Sequence, residues 1–215
     1  MSKMTLILVR HGHVEGISPE KFRGQIDLPL TDMGRSQAAM TAHYLERFGP
    51  FDAIYSSPLA RCLDTAAAIG RACGSDPISL PELIDINYGV WQGRTREAVS
   101  QEDPVRFQSW MTRPDLTAIA GADTLQTVQS SLVKALQMFR EHHEGKTVVA
   151  VGHDSSNRVM LLTALEMPLS RYWSLRQDPC CVNVIVFDGY RCTVGRINET
   201  AHLDAMQPAA LAAIA

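Results

Sequence analysis

A chain of 215 residues, 46% of them hydrophobic, can bury one sizeable core and is short for two domains. Its formal net charge of −3, with the basic residues dispersed, excludes the cationic stripe of a nucleic-acid or anionic-membrane binder. With no apolar run long enough to span a bilayer and no basic-plus-apolar leader, the expectation is a cytoplasmic protein. The five cysteines (Cys62, Cys73, Cys180, Cys181, Cys192) are odd in number and form no Cys-x-x-Cys pair, which fits a reducing compartment.

In chain order, Thr5-Leu6-Ile7-Leu8-Val9 is a short branched apolar run that reads as a buried parallel strand, and it delivers Arg10-His11-Gly12 at its carboxyl end. Thr31 caps a predicted helix from about Asp32 to Phe48, stopped by Gly49-Pro50. Asp52 to Ser56 reads as a strand, followed by a helix from near Pro58 to about Cys73 and a brief strand from Ile78 to Leu80. Pro81 to Thr124 is irregular, with short helical pieces near Arg96 and Val105; its Trp91 and Trp110 read as core fillers. Leu125 to His143 is a long helix with Val128, Leu132, Leu136 and Phe139 at helical spacing. A second buried run, Thr147 to Gly152, is followed at once by His153 and a helix from Asp154 to about Leu165. Val182 to Phe187 and Cys192 to Ile197 are closing strands joined through Asp188-Gly189. His43, His142, His143 and His202 read as surface positions. Strands alternating with helices predict an α/β fold, a three-layer α/β/α sandwich on a mostly parallel central sheet. One domain is expected over 1–204, with an Ala-rich tail over 205–215 that docks or frays.

Ligands in open α/β sheets bind at the carboxyl ends of the strands. Two strands each ending in a histidine, if neighbours, bring His11 and His153 together, with Arg10 beside them as an anion-binding cation. The spacing His11-x-His13 also admits a metal pair of the kind found in larger barrel hydrolases. That reading wants further ligands and a longer chain, and Arg10 opposes a bound cation. Cys62, beside Arg61, reads as a small buried hydrophobe and not as a nucleophile.

Together these segments resemble the histidine phosphatase superfamily, the phosphoglycerate mutase-like proteins, from Thr5 to about Leu203. The resemblance rests on Arg10-His11-Gly12; on Gly24, Asp27, Pro29-Leu30-Thr31, Gly34 and Gln37-Ala38; and on Tyr55-Ser56-Ser57-Pro58-Leu59 with Arg61 and Thr65-Ala66. It continues through Leu83, Asp85, Gly89, Trp91 and Gly93, and ends on Gly152-His153 with Arg158. It implies that His11 attacks phosphorus to give a phosphohistidine, with Arg10, Arg61 and His153 around the phosphoryl oxygens. The flanking arginines are expected to keep His11 unprotonated. With that much positive charge from side chains, neither metal nor cofactor is needed.

Asp85 stands where the family more often has Glu and is the expected proton donor; its lower reference pKa then has to be raised by burial. Glu82 is the reserve. Ile17 replaces an Asn that many members use for phosphate, leaving His13, Ser18 or Arg23, with Gly24 in the same loop, as candidates to contact phosphate or substrate. His13 itself departs from the usual Glu or Gln. The modest segment before His153 and the missing Asn favour a phosphatase acting on a small phosphorylated metabolite, as a monomer or homodimer. The alternatives are mutase-type phosphoryl transfer and a non-catalytic phospho-ligand binder.

Overall fold

The computed structural model describes residues 2–189 and 191–206. Six strands form one sheet in the order β3-β2-β4-β1-β5-β6: β1 Met4–Arg10, β2 Ala53–Ser56, β3 Pro77–Ser79, β4 Thr147–Gly152, β5 Val182–Asp188 and β6 Arg191–Glu199. The first four are mutually parallel, and β5 pairs antiparallel with both β1 and β6. This is the mostly parallel α/β sandwich expected from the alternation of segments.

Strand alternation divides the apolar side chains between two layers. Leu6, Leu8, Val148 and Ala150 pack against α5 Leu125–His142 and α6 Asp154–Ala164, while Ile7, Val9, Val149 and Val151 face α1 Asp32–Glu46 and α2 Ala60–Cys73. The first layer is the larger, because the connection from Pro81 to Thr124 adds α3 Arg96–Glu102, α4 Pro104–Thr112 and buried Trp91 and Trp110 to it. The predicted helical positions Val128, Leu132, Leu136 and Phe139 are all buried in α5.

Local chemistry sets the helix starts. Thr31 caps α1 by accepting from the Gly34 amide at 3.1 Å, Thr95 caps α3 and Thr124 caps α5. α2 ends in a left-handed Gly74 (φ 71°). α1 ends at Glu46 and α2 begins at Ala60, each two residues inside the predicted span.

One predicted surface position is corrected. His143 is 7% exposed, because the chain entering β2 places Asp52 and Tyr55 against it: Nδ1 meets Asp52 Oδ2 at 2.5 Å and Nε2 meets the Tyr55 hydroxyl at 2.9 Å. His202 is half-buried against Thr41 and stacks on Tyr44. Of the predicted tail, residues 207–215 lie outside the described residues, and the short turn Ala201–Met206 takes in its first two.

Candidate active site

The parallel register pairs Arg10 with Gly152, so the residue after each, His11 and His153, leaves the sheet at the same level. Their ring centroids are 5.3 Å apart, edge to face at 61°. The His11 amide donates to the Gly152 carbonyl at 3.0 Å, which ties the two strand ends together. Gly12 is required by a close approach: a Cβ there would lie 2.5 Å from the Gly34 carbonyl oxygen in the first turn of α1.

His11 is 1% exposed. Its Nδ1 lies 2.7 Å from the Gly12 carbonyl oxygen, an acceptor only, so Nδ1 carries the proton and Nε2 keeps its lone pair. Burial, reinforced by the positive charges of Arg61 and Arg10, holds its pKa well below the usual value. Both flanking arginines act in the expected direction, with desolvation the larger effect.

Arg61, in the first turn of α2, is wholly enclosed. Nε donates to His153 Nδ1 at 3.2 Å, Nη1 to the Ile26 carbonyl at 2.8 Å, and Nη2 to the Gly24 carbonyl at 2.7 Å and to Asp85 Oδ2 at 3.3 Å. Since the guanidinium can only donate, His153 Nδ1 is an acceptor and Nε2 donates to Ser57 Oγ at 2.7 Å. Burial and the nearby arginines lower the His153 pKa as well. Arg10 donates through Nη1 to the Gln177 carbonyl, and its buried Nε has no partner.

Asp85 is 7% exposed, and its Oδ1 accepts from the Ile86 amide at 3.0 Å. Burial raises its pKa to about 6 against the opposing pull of Arg61 and Arg23. Glu82 sits half-buried in the turn Pro81–Leu83, outside the cleft.

A narrow cleft opens over His11, walled by Arg23, Gly24, Asp85, Tyr88, Asp154 and Ser155, with Glu20, Lys21, Phe22 and Arg96 at its side. Arg10, Arg61 and His153 stand behind these walls, around His11. The residues weighed as substitutes for the missing Asn separate clearly. Arg23 is in the cleft wall, anchored by Nη1 to the Gly16 carbonyl at 2.5 Å, and Gly24 is beside it. Ser18 is exposed and outside the wall. His13 turns to α1, with Nδ1 2.9 Å from Thr31 Oγ1 and its amide on Gln37. His11 and His13 therefore bind different elements and do not converge as a metal pair. Ile17 packs on the apolar cluster of Val14, Leu30, Ala38, Cys180 and Leu203. Among the described residues no group of three or more His, Cys, Asp or Glu side chains is placed to share a metal ion.

Residues 6–200 match the family model described as histidine phosphatase superfamily (branch 1). The chain belongs to the histidine phosphatase superfamily. Among curated relatives of this histidine phosphatase, phosphoserine phosphatase 1 of Hydrogenobacter thermophilus is 33% identical over 198 residues, 92% of this chain and 93% of that one. Among solved structures, YhfR of Bacillus stearothermophilus superposes with a TM-score of 0.88 at 29% identity, covering 93% of this chain and 99% of that one. A phosphoserine phosphatase from Entamoeba histolytica, solved with 3-phosphoglyceric acid, gives 0.84 at 27% identity over 93% and 99%.

Sequence reasoning about this histidine phosphatase missed Ser57 as the partner of His153, Gln177 as the anchor of Arg10, and Tyr88 and Asp154 in the cleft wall. Asp154 carried a signal, since it follows His153 directly at the strand–helix junction. Gln177 carried none, because only its backbone carbonyl is used.

Proposed function

We propose that this histidine phosphatase hydrolyses a small phosphomonoester through a phosphohistidine on His11. The observation that carries the reading is the His11–Asp85 pair: a buried imidazole whose tautomer leaves Nε2 as nucleophile, sharing one small cleft with a carboxyl whose pKa is raised to about 6. The Nε2 lone pair forms the N–P bond as the ester P–O bond breaks, and Asp85 gives its proton to the departing alkoxide oxygen. Water then loses a proton to the Asp85 carboxylate and attacks phosphorus. The N–P bond breaks, restoring neutral His11 and releasing phosphate. Arg23 in the wall, with Arg10, Arg61 and His153 behind it, supplies positive potential to oxygens that gain charge in the transition state.

That charge comes from side chains, which supports turnover without metal. Five free thiols, including the adjacent Cys180 and Cys181, support a reducing, cytoplasmic setting. No helix among the described residues is long and apolar enough to cross a membrane. The oligomeric reading stays at monomer or homodimer.

The test is phosphate release from a panel of phosphomonoesters in EDTA, with His11→Ala alongside. Release that disappears in His11→Ala is the expected result, with a loss of about a thousandfold or more. Release that survives in His11→Ala removes the nucleophile, and release only after a divalent metal is restored removes the mechanism. Isomer formation from 3-phosphoglycerate outrunning phosphate release would replace hydrolysis by mutase transfer.

A further inference from the structure

A cation that is to receive a phosphoryl dianion loses most of its value if a carboxylate already neutralises it. Among the described residues the Arg10 guanidinium is paired with no carboxylate. It donates through Nη1 to a neutral acceptor, the Gln177 carbonyl, and its buried Nε is left unspent. A neutral anchor holds less strongly than an ion pair, so its own position has to be fixed by other contacts.

An amide pair behind the anchor supplies them. Gln177 and Asn183 are both buried, and their side chains bond head to head. Gln177 Nε2 donates to Asn183 Oδ1 at 2.8 Å, and Asn183 Nδ2 donates to Gln177 Oε1 at 2.9 Å. The remaining positions are also taken. Asn183 Nδ2 donates to the Leu8 carbonyl at 3.0 Å, and its Oδ1 accepts from the Asn198 amide at 2.8 Å. Gln177 Nε2 donates to the Arg176 carbonyl at 2.8 Å, and its Oε1 accepts from the Cys181 thiol at 3.3 Å. With every donor and acceptor used, neither amide can turn over without leaving a buried group unpaired. The same segment grips the backbone of the strand end: the Arg10 amide donates to the Cys181 carbonyl and the Cys180 amide to the His11 carbonyl, each at 3.2 Å. Cys180 holds φ at 57°, a left-handed conformation that a non-glycine residue keeps only where its surroundings fix the path.

We infer that Asn183 is a positioning residue for Arg10: acting through the Gln177 amide, it fixes the carbonyl that aims the guanidinium at the phosphoryl oxygens. On propensity and burial alone an asparagine is a poor choice inside β5, between Val182 and Val184. A matched apolar pair would fill the same space with little loss of stability. What an apolar pair cannot do is hold the Gln177 carbonyl in one orientation. The inference rests on the phosphoryl-binding role of Arg10 in the proposed reaction, and its test separates the two.

The test is a double-mutant cycle on vanadate affinity, read by calorimetry in EDTA. Asn183→Leu and Gln177→Met each remove the amide pair while leaving the carbonyl of residue 177 in the chain. In the native background each is expected to weaken vanadate binding by about fivefold or more. In the Arg10→Ala background, which retains Arg61 and Arg23 for the anion, the loss is expected to be less than about twofold. A merely structural role lowers affinity equally in both backgrounds, or lowers Tm alone, and either result overturns the positioning role. If Asn183→Leu does not fold, Gln177→Met carries the cycle. Because vanadate needs no turnover, the expected coupling with no phosphate released from any ester would overturn the hydrolytic reading alone. Absence of vanadate binding by the native protein would overturn both.

Discussion

One carbonyl sets the tautomer of His11 and so, on the proposed mechanism, which nitrogen attacks phosphorus. By taking the Nδ1 proton, Gly12 leaves Nε2 free, and burial keeps that nitrogen unprotonated at mildly acidic pH. Asp85 works in the opposite direction. Desolvation raises its pKa to about 6, so its carboxyl keeps a proton where an exposed aspartate would have lost it. On the proposed mechanism, cleavage of an alkyl ester needs neutral His11 and protonated Asp85 together. The expected profile of kcat/KM for an alkyl phosphate therefore falls as pH rises through about 6, while p-nitrophenyl phosphate, whose leaving group needs little protonation, holds its rate to higher pH. Asp85→Asn is expected to slow the alkyl ester about a hundredfold more than the aryl one. Parallel slowing of both esters would move the acid elsewhere, with Glu82→Gln the next variant. Removing the Asp154 charge is expected to shift the alkyl-ester limb to lower pH, because that charge is one of the influences raising Asp85. The need for burial at Asp85 was legible from its being Asp and not Glu. The dominance of burial over the arginines at His11 was not, because a sequence displays charges but no depth.

At the scale of elements, the contact between the loop after β1 and the first turn of α1 holds His11 in place. A Cβ on Gly34 would lie 2.1 Å from the His13 carbonyl oxygen, which is backbone and cannot swing aside. Gly34→Ala is expected to destabilise the fold by about 1–3 kcal/mol and to lower activity further by displacing His11; a thermal melt beside kcat/KM checks both. Because His13 is bonded to the Thr31 cap, His13→Ala is expected to lower Tm while moving vanadate affinity by less than about threefold. A large loss of vanadate affinity would return His13 to the site. Strands and helices were legible because apolar residues recur at the spacing each element demands, as at Leu6–Val9 and at Val128, Leu132, Leu136 and Phe139. The cleft wall was only partly legible. Arg23, Tyr88 and Arg96 reach it from irregular segments whose paths follow long-range contacts such as the Glu20–Arg96 ion pair at 2.7 Å. Ile17 shows the limit on a single position: replacing a polar residue told that a contact was missing, while the cluster it joins became visible only once Leu30, Ala38 and Leu203 were brought together.

For the whole molecule, the site is a junction of both helical layers with the sheet, so its occupancy is linked to global stability. Vanadate or phosphate added in EDTA is expected to raise Tm, approaching about 2.7 kcal/mol of stabilisation at a hundredfold excess over Kd. Arg61→Ala is expected to abolish most of that rise, and an undiminished rise would place anion binding away from α2. The two layers also differ in what can be seen of them. All three tryptophans, Trp91, Trp110 and Trp173, belong to the larger layer beneath α5 and α6, whereas Arg61 rides on α2 across the sheet. Intrinsic fluorescence is consequently nearly blind to the α1–α2 layer. If that thinner layer loosens first on heating, the enzyme falls silent while its emission spectrum still reports a native protein, and inactivation and optical melting curves separate along the temperature axis.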